Sequence, residues 1–208
     1  MSSPLPSQIL IASNNKGKFI EIEHLLNQIN ITSIPSFQFN LEEPAETEDS
    51  FAKNSLLKAK YYAKKTNIFS LADDSGLCIE SLNNQPGVHS ARFALDEKTG
   101  EKNFPLAFKK IFNELEKNNI DPNSRPAAYF ICNITLFDPK TDFSISFEGR
   151  VDGVITFPAR GDKGFGYDAI FIKNGMDKTF AEIDPQLKDQ ISHRADAFNK
   201  LVNWLKNI

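Results

Sequence analysis

The chain has 208 residues, of which 40% are hydrophobic and 11% aromatic, so it is long enough to bury a substantial core. Its net charge of -3, from 24 basic and 27 acidic residues, argues against a general nucleic-acid-binding surface, although a few local cations could still hold an anionic small molecule. Its two cysteines, Cys78 and Cys132, are too few for a disulfide framework and lack metal-ligand spacing. No apolar run is long enough to span a membrane, and the first eight residues lack the features of a signal peptide, which predicts a cytoplasmic protein.

The first 76 residues contain segments with clear helical or strand periodicity. In chain order, the predicted elements are a strand at 8–13, a helix at 17–29, a helix at 49–65 and a strand at 68–72. In the first helix Ile22, Leu25, Leu26 and Ile29 recur at helical spacing. The second helix has Asp49 or Ser50 as its expected cap. Ser75 and Gly76 are predicted to form a turn after the second strand.

The remaining elements mix helix and strand without strict alternation. They are a long loop at 83–102, a helix at 104–118, a β-hairpin at 127–155 with its turn at 138–142, a strand at 168–172 and a helix at 192–208. Phe143, Ile145 and Phe147 alternate with polar residues, as expected for a hairpin strand. With no repeat and no clear linker, this pattern predicts one α/β or α+β domain over residues 1–208 with a mixed sheet.

The stretch ASNNKGK, residues 12–18, lies where a predicted strand ends and a helix begins. Backbone N–H groups at a helix N-terminus suit phosphate, and Lys16 and Lys18 add positive charge. The stretch is not a Walker A loop, because Ala12 replaces its first glycine and Phe19 stands in place of its serine or threonine. A capped helix start with solvated lysines is an equally good interpretation.

Asp73 and Asp74 are adjacent carboxylates between two apolar segments. Successive side chains of an extended chain point to opposite faces, so the two residues should differ in role unless the backbone turns there. One of them, together with Glu46, could hold Mg²⁺, which prefers carboxylates, waters and substrate phosphates. The alternative is that the strand ends in a solvated turn.

Glu46 belongs to an acidic run that precedes the second helix, and such a run is also ordinary complementation of a helix dipole. Phe51, Asn54 and Lys58 share one face of that helix by their spacing, an arrangement that fits either a ligand site or a surface stripe.

Glycines frame the aromatic residues of the stretch 161–168. Gly161, Gly164 and Gly166 flank Phe165 and Tyr167, and such rings can be presented to a planar ligand at low steric cost. A glycine-rich turn with buried aromatic residues is the alternative.

The last predicted helix begins with an unfavourable charge arrangement. Ser192 is its expected N-cap, and His193 and Arg194 follow in the first turn, where cations oppose the helix dipole. The cost would be understandable if these donors were directed at an acceptor-rich ligand, but a surface pair is also compatible with the pattern.

Taken together, the polar stretches resemble those of the inosine triphosphate pyrophosphatase family, also called XTP/dITP diphosphatases. The matching stretches, in family order over nearly the whole chain, are SNNKGK (13–18), ETEDSFAKNSLLKAK (46–60), ADDSGL (72–77), PGVHSARF (86–93), GFGYD (164–168) and KDQISHR (188–194). The chain departs from the family pattern at Glu48, His89 and Ala169, where glycine, tyrosine and proline are expected. The loop PARGDK, 158–163, is also one residue longer than the commonest form.

The resemblance implies a two-lobed α/β fold with a long central mixed β-sheet flanked by helices and an active-site cleft between the lobes. It implies a homodimer that depends on Mg²⁺. It also implies hydrolysis of deaminated purine nucleoside triphosphates, namely ITP, dITP and XTP, to the monophosphate and pyrophosphate, which cleanses the nucleotide pool. Neither a nucleic acid nor a membrane is an expected partner.

Site residues follow from the resemblance by position. Asp74 would act as general base and, with Glu46, would bind the metal, while Asp73 would point away or support the site indirectly. The residues expected to hold the triphosphate are Ser13, Asn14, Lys16 and Lys18, with Lys58 supporting the phosphates. Phe165 would stack on the base, and the base pocket would be lined by Asp168, Lys188, His193 and Arg194. The other expected substrate-binding residues are Asn15, Gly17, Ser75, Gly166 and Tyr167.

Three other activities fit parts of the pattern. A pyrophosphatase of the same fold could act on a different modified nucleotide. A phosphatase with an aspartyl nucleophile is less compatible, because it needs an Asp-x-Asp sequence after the strand. A non-catalytic nucleotide or RNA sensor would bind without turnover, and the combination of Glu46, Lys58 and Asp74 argues against it.

Overall fold

A computed structural model describes residues 6–207 as a mixed α/β protein, which confirms the expected fold class. Residues 1–5, which form most of the stretch used to predict that there is no signal peptide, and residue 208 lie outside this part. The strands are β1 (Gln8–Ile11), β2 (Thr32–Pro35), β3 (Ser70–Ile79), β4 (Gln85–Pro86), β5 (Ala127–Phe137), β6 (Ser144–Ile155) and β7 (Phe171–Lys173). The α-helices are α1 (Lys16–Asn27), α2 (Phe51–Thr66), α3 (Ser90–Phe93), α4 (Phe104–Lys117), α5 (Pro185–Ile191) and α6 (His193–Leu205).

The strands form a mixed sheet, as predicted. Hydrogen-bonded neighbours follow the order β2-β1-β3-β5-β6-β7, and β4 pairs with β3. Strand β1 runs parallel to β2 and β3, whereas the β3–β4 and β6–β7 pairs are antiparallel. The sequence patterns predict neither β2 nor α5.

The chain divides into two compact units. The first unit comprises the chain up to Asp74, Cys132–Gly149 and the chain from Ser192 onwards, and the second comprises Ser75–Ile131 and Arg150–Ile191. In the first unit the buried face of α1 (Ile22, Leu25 and Leu26) shares a core with Phe198 and Leu201 of α6. In the second unit the core includes the rings of Phe130, Phe171 and Phe180.

Strand β3 corrects the prediction that the chain turns at Ser75 and Gly76. The strand continues through Asp73, Asp74, Ser75 and Gly76 to Ile79, and both carboxylates are buried. A buried carboxylate can remain in a strand when cations compensate its charge, and lysine and arginine side chains do so here. The turn was expected because a local pattern does not reveal those distant partners.

Two further predictions were partly wrong. The long loop expected at 83–102 contains β4 and α3. The strand expected at 168–172 begins only at Phe171, because Asp168–Ile170 form one 3-10 turn. The hairpin at 127–155 and the helices at 17–29, 49–65, 104–118 and 192–208 are confirmed with shifts of a few residues at their ends.

Serine side chains fix the starts of two helices that carry candidate site residues. Ser50 accepts from the backbone N–H of Lys53 at the start of α2, and Ser192 accepts from that of Ala195 at the start of α6. Gly149 of β6 brings the strand backbone against α6, since a Cβ there would lie 2.1 Å from the carbonyl oxygen of His193.

Candidate active site

The stretch Ser13–Lys18 forms the connection from β1 to α1. Its Asn15 side chain caps the helix, because Asn15 Oδ1 accepts from the backbone N–H groups of Gly17 at 2.9 Å and Lys18 at 3.2 Å. Buried Ser36 supports the same connection by donating from its hydroxyl to the Ser13 carbonyl at 3.0 Å. These two N–H groups are therefore directed at the Asn15 side chain. Lys16 remains exposed, so its ammonium group on a long side chain is open to an anionic ligand.

Asp73 is held by cations from two helices of the first unit. Its Oδ2 lies 3.1 Å from Lys18 Nζ of α1 and 2.9 Å from Arg194 Nη2 of α6. Arg194 also bonds Glu21 of α1 through Nη1, and both Asp73 and Arg194 are buried. Burial acts to raise the pKa of Asp73, but Lys18, Arg194 and Lys58 together hold it far below its usual range. Asp73 is consequently ionised and fixes the Lys18 ammonium.

Asp74 faces a different cation. Lys58 Nζ of α2 lies 3.6 Å from Asp74 Oδ1 and 2.5 Å from Glu46 Oε1, and Lys58 is itself buried. Burial raises the pKa of Asp74; Lys58 and Lys18 oppose this, while Glu46 and Asp73 add to it, and the pKa is raised overall. A carboxyl with a raised pKa next to positive charge is suited to accept a proton.

Glu46 and Lys58 form an ion pair beside Asp74, and each shifts the pKa of the other. Burial acts to raise the pKa of Glu46, but the charge and hydrogen bond of Lys58 lower it overall. Burial acts to lower the pKa of Lys58, but Asp74 and Glu46 raise it well above its usual value, so Lys58 remains protonated. Neighbouring carboxyl groups with opposite pKa shifts are typical of catalytic sites.

The donor set is compatible with Mg²⁺ bound together with substrate. Within residues 6–207, no group of three or more His, Cys, Asp and Glu side chains is arranged to hold a metal ion. Glu46 and Asp74, which both approach Lys58, could supply two carboxylates, and Mg²⁺ commonly takes its other ligands from waters and substrate phosphates. Such an ion would be completed by the nucleotide rather than enclosed by the protein.

Within the second unit, Phe165, Asp168 and Lys188 form a compact group. Asp168 Oδ2 accepts from the backbone N–H of Phe165 at 2.9 Å and from the Lys188 ammonium, and Asp168 and Lys188 are buried. Lys188 Nζ also lies 4.6 Å from the centre of the half-buried Phe165 ring. This group fixes a partly exposed ring beside a cation, which suits a planar ligand carrying acceptor atoms.

The glycines around Phe165 are required by the backbone. Gly164 and Gly166 have φ angles of +70° and +68°, and a Cβ on Gly164 would lie 2.3 Å from Asp168 Oδ2.

Tyr167 is one of the buried aromatic residues that the alternative interpretation of this stretch expected. It is buried against the Phe104 ring and donates its hydroxyl proton to the Ser90 carbonyl at 2.8 Å. Ser75, the first residue of the second unit, is half-buried on β3.

His193 and Arg194 are both buried at the start of α6, so neither forms the surface pair that was considered. The guanidinium of Arg194 pairs with the carboxylates of Glu21 and Asp73 in the same unit, so its charge is compensated within the protein. Compensation by these carboxylates gives a physical reason why a buried cation is tolerated against the helix dipole.

The structure brings together, in the first unit, residues that the sequence scatters over the chain. Lys18, Glu46, Lys58, Asp73 and Asp74 form one charged cluster. Glu21 and Ser36 were not predicted as site residues, because a charged residue on a helix such as Glu21 does not by itself indicate a site. The sequence left open whether Asn54 and Lys58 face solvent, and the structure buries Asn54 and Lys58. No helix among the described residues is long and apolar enough to cross a membrane.

Comparison with known proteins decides the family, because the model of the Ham1 family matches residues 9–204. The chain belongs to the Ham1 family. A curated relative, the dITP/XTP pyrophosphatase of Zymomonas mobilis, is 40% identical over 95% of this chain and 91% of its own length. The dITP/XTP pyrophosphatase of Rhodospirillum centenum is 43% identical, over 93% and 92%. The HAM1 protein structure from Coxiella burnetii has a TM-score of 0.83 at 37% identity and covers 97% of this chain and 99% of its own.

Proposed function

We propose that this Ham1-family protein hydrolyses deaminated purine nucleoside triphosphates, namely ITP, dITP and XTP, to the nucleoside monophosphate and pyrophosphate. The observation that carries the proposal is the position of Lys58 beside both Glu46 and Asp74. This arrangement keeps buried Lys58 and Asp74 and half-buried Glu46 in one cluster, and fixed charges of this kind stabilise the charge that develops during phosphoryl transfer. The two curated relatives named above, both dITP/XTP pyrophosphatases, support it.

In the proposed reaction, a water molecule attacks the α-phosphorus of the nucleotide. Its oxygen forms a bond to phosphorus as the bond to the oxygen bridging the α- and β-phosphates breaks, and that electron pair leaves with pyrophosphate. Asp74 accepts the proton of the water, because its raised pKa makes it a better base than an ordinary aspartate. Lys58 and Lys18 then stabilise the negative charge on the phosphate oxygens.

Asp73 serves this reaction indirectly. It is ionised and buried, and it holds the ammonium of Lys18 at 3.1 Å. Lys18 is thereby kept in one place before the nucleotide arrives, which removes an ordering cost from the reaction. Exposed Lys16 and Asn14 lie on the same connection and would complete the binding of the triphosphate.

Glu46 and Asp74 would hold the Mg²⁺ ion that the family resemblance implies. When bound, such an ion neutralises phosphate charge and orients the leaving group. Lys58 already lies beside both carboxylates, so its positive charge partly offsets theirs before the ion binds.

Selection of the base is assigned to Phe165, Asp168 and Lys188 of the second unit. Hypoxanthine and xanthine carry an oxygen acceptor at purine position 6, whereas adenine carries an amino donor there. The Lys188 ammonium is a donor with no acceptor capacity, so it favours the oxo purines, and the Phe165 ring suits any base. With adenine, a Lys188 N–H directed at the base would lose that acceptor, at a cost of about 1–3 kcal/mol.

The family resemblance further leads us to propose a homodimer located in the cytoplasm. Light scattering coupled to size-exclusion chromatography would test the dimer, and fractionation of the source cells would test the location.

A pyrophosphatase acting on some other modified nucleotide is the nearest alternative. A panel of ITP, dITP, XTP, ATP, GTP and modified pyrimidine triphosphates, assayed with Mg²⁺ for pyrophosphate and phosphate separately, distinguishes the two. The proposal expects the highest kcat/KM for ITP, dITP and XTP. A higher value for a modified pyrimidine would assign the protein to the alternative.

A further inference from the structure

Helix α2 carries a second buried polar residue one turn before Lys58. Asn54 is fully buried, and its side chain contacts the backbone of Glu48, a residue outside the helices and strands. The Glu48 N–H donates to Asn54 Oδ1 at 3.1 Å, and Asn54 Nδ2 donates to the Glu48 carbonyl at 3.5 Å. The amide of Asn54 therefore binds both polar groups of one residue's backbone.

Glu48 is two residues from Glu46, whose carboxylate contacts Lys58. Asn54 and Lys58 are four residues apart on α2 and so share one face. From this face, Asn54 holds the backbone of Glu48 and Lys58 holds the carboxylate of Glu46. These contacts tie the segment 46–48 to α2 at two points.

We propose that Asn54 is a positioning residue that places the carboxylate of Glu46 beside Lys58 and Asp74. The inference rests on the proposed function, because it assigns Asn54 a role in that same site. Residues 41–48 belong to neither a helix nor a strand, so contacts of this kind, and not a backbone ladder, fix where Glu46 lies.

The departure from the family pattern at Glu48 is compatible with this role. Asn54 contacts only the backbone of Glu48, so any side chain at this position could be held in the same way. Glu48 is also absent from the non-glycine residues with positive φ among those described, so a glycine is not needed for its conformation.

The adjacent residue on the helix supplies a matched control. Ser55 is also fully buried, but its hydroxyl contacts Asn133 Oδ1 at 2.8 Å and Thr135 Oγ1 at 2.7 Å on β5. Asn54→Ala and Ser55→Ala each remove one buried polar side chain from α2. Only Asn54→Ala releases the segment that carries Glu46.

The experiment compares the two variants with the unmodified protein in two measurements. The first is amide hydrogen–deuterium exchange of peptides covering residues 44–50, without metal or nucleotide. The second is the Mg²⁺ concentration that gives half-maximal release of pyrophosphate at saturating ITP. Thermal unfolding of each variant reports whether the loss of general stability is similar.

Asn54→Ala is expected to speed exchange in peptides 44–50 and to raise the half-saturating Mg²⁺ concentration about tenfold or more, as is common when a residue supporting a metal ligand is removed. Ser55→Ala is expected to change neither. Unchanged exchange in Asn54→Ala, or a Mg²⁺ requirement equal to that of Ser55→Ala, would overturn the inference. If the unmodified protein releases no pyrophosphate, the proposed function fails, and the exchange measurement still decides whether Asn54 holds the segment.

Discussion

Asp73 and Asp74 are consecutive residues of β3 whose carboxylates contact different cations and whose pKa values shift in opposite directions. Asp73 Oδ2 contacts Lys18 and Arg194, and its pKa is lowered. Asp74 Oδ1 approaches Lys58, and its pKa is raised. The alternation of side chains along a strand makes this division of roles possible without a turn.

The first prediction concerns which of the two aspartates acts as base. Asp74→Asn should lower kcat for ITP by about 10²–10⁴-fold, because a general base is lost. Asp73→Asn should lower kcat less, since Asp73 affects the reaction only through Lys18, which it holds. Steady-state kinetics at saturating Mg²⁺ measures both effects. A larger loss of kcat in Asp73→Asn than in Asp74→Asn would reverse the assignment.

The second prediction is a pH-dependent loss of stability in Asp73→Asn. Because the pKa of Asp73 is depressed in the folded protein, its stabilising contribution is present above the unfolded-state pKa and is lost as pH falls through the folded-state value. Breaking this buried ion pair should reduce the free energy of unfolding by about 3–5 kcal/mol at neutral pH. Urea unfolding of both proteins from pH 7 down to pH 3 should show the difference narrowing below about pH 4. A difference that grows as the pH falls would contradict the pairing.

The third prediction concerns the acid limb of the pH–rate profile. Burial raises the pKa of Asp74, so kcat/KM should decline with falling pH around a midpoint above the ordinary aspartate value of about 3.9. Lys58 lowers the pKa of Asp74, so Lys58→Met should move this midpoint to higher pH in addition to slowing the reaction. Lys60→Met, on the same helix but exposed, is the control and should leave the midpoint unchanged. A midpoint in Lys58→Met that stays in place or moves to lower pH would argue against Asp74 as the titrating base.

Much of the fold follows from local sequence patterns. Apolar residues at helical spacing predicted α1, α2, α4 and α6, because each of these helices buries one face in a core. Ser192 was identified as a cap, and Ser50 was one of two candidates beside Asp49, because a side-chain oxygen there satisfies an N–H that the helix leaves open. Strand β2 was missed since its four residues have no fully buried member and therefore no clear alternation.

The charged cluster could not be predicted from local pattern alone. Arg194 pairs with Asp73 and Glu21, which lie 121 and 173 residues away in the chain. Adjacent charged residues suggest a solvated turn or a surface pair when they are considered alone. When distant partners of opposite charge are present, the same residues can be buried, because their charges are compensated. The family resemblance named Lys18, Glu46, Lys58 and Asp74, but it did not indicate that Asp73 would hold Lys18 or that Asn54 would hold Glu48.

The fourth prediction concerns the choice of base. Lys188→Met should lower kcat/KM for ITP more than for ATP, because it removes a donor that only the 6-oxo purine can satisfy. Phe165→Ala should lower both values about equally, since a ring stacks on any purine. Lys163→Met is a matched control in the same unit, because Lys163 pairs with exposed Asp184. An unchanged ITP-to-ATP ratio in Lys188→Met would place base selection elsewhere.

The resemblance places Arg194 among the donors of the base pocket, so Arg194→Ala should also narrow the ITP-to-ATP ratio of kcat/KM, and the same kinetics test it. The contacts of Arg194 with Asp73 and Glu21 add a second expectation, a lower melting temperature. Glu21→Gln weakens one of these contacts and leaves Asp73 in place. If Arg194 acts only through the charged cluster, both variants should lose stability without a change in the ITP-to-ATP ratio.

The central claim is hydrolysis at the α-phosphorus, and the site of bond cleavage tests it most directly. The measurement is single-turnover hydrolysis of ITP with Mg²⁺ in ¹⁸O-labelled water, followed by mass spectrometry of both products, with Asp74→Asn as the control for contaminating activity. We predict pyrophosphate in equal amount to the monophosphate, with the ¹⁸O in the monophosphate. Stepwise release of phosphate, or ¹⁸O found in pyrophosphate, would contradict the account.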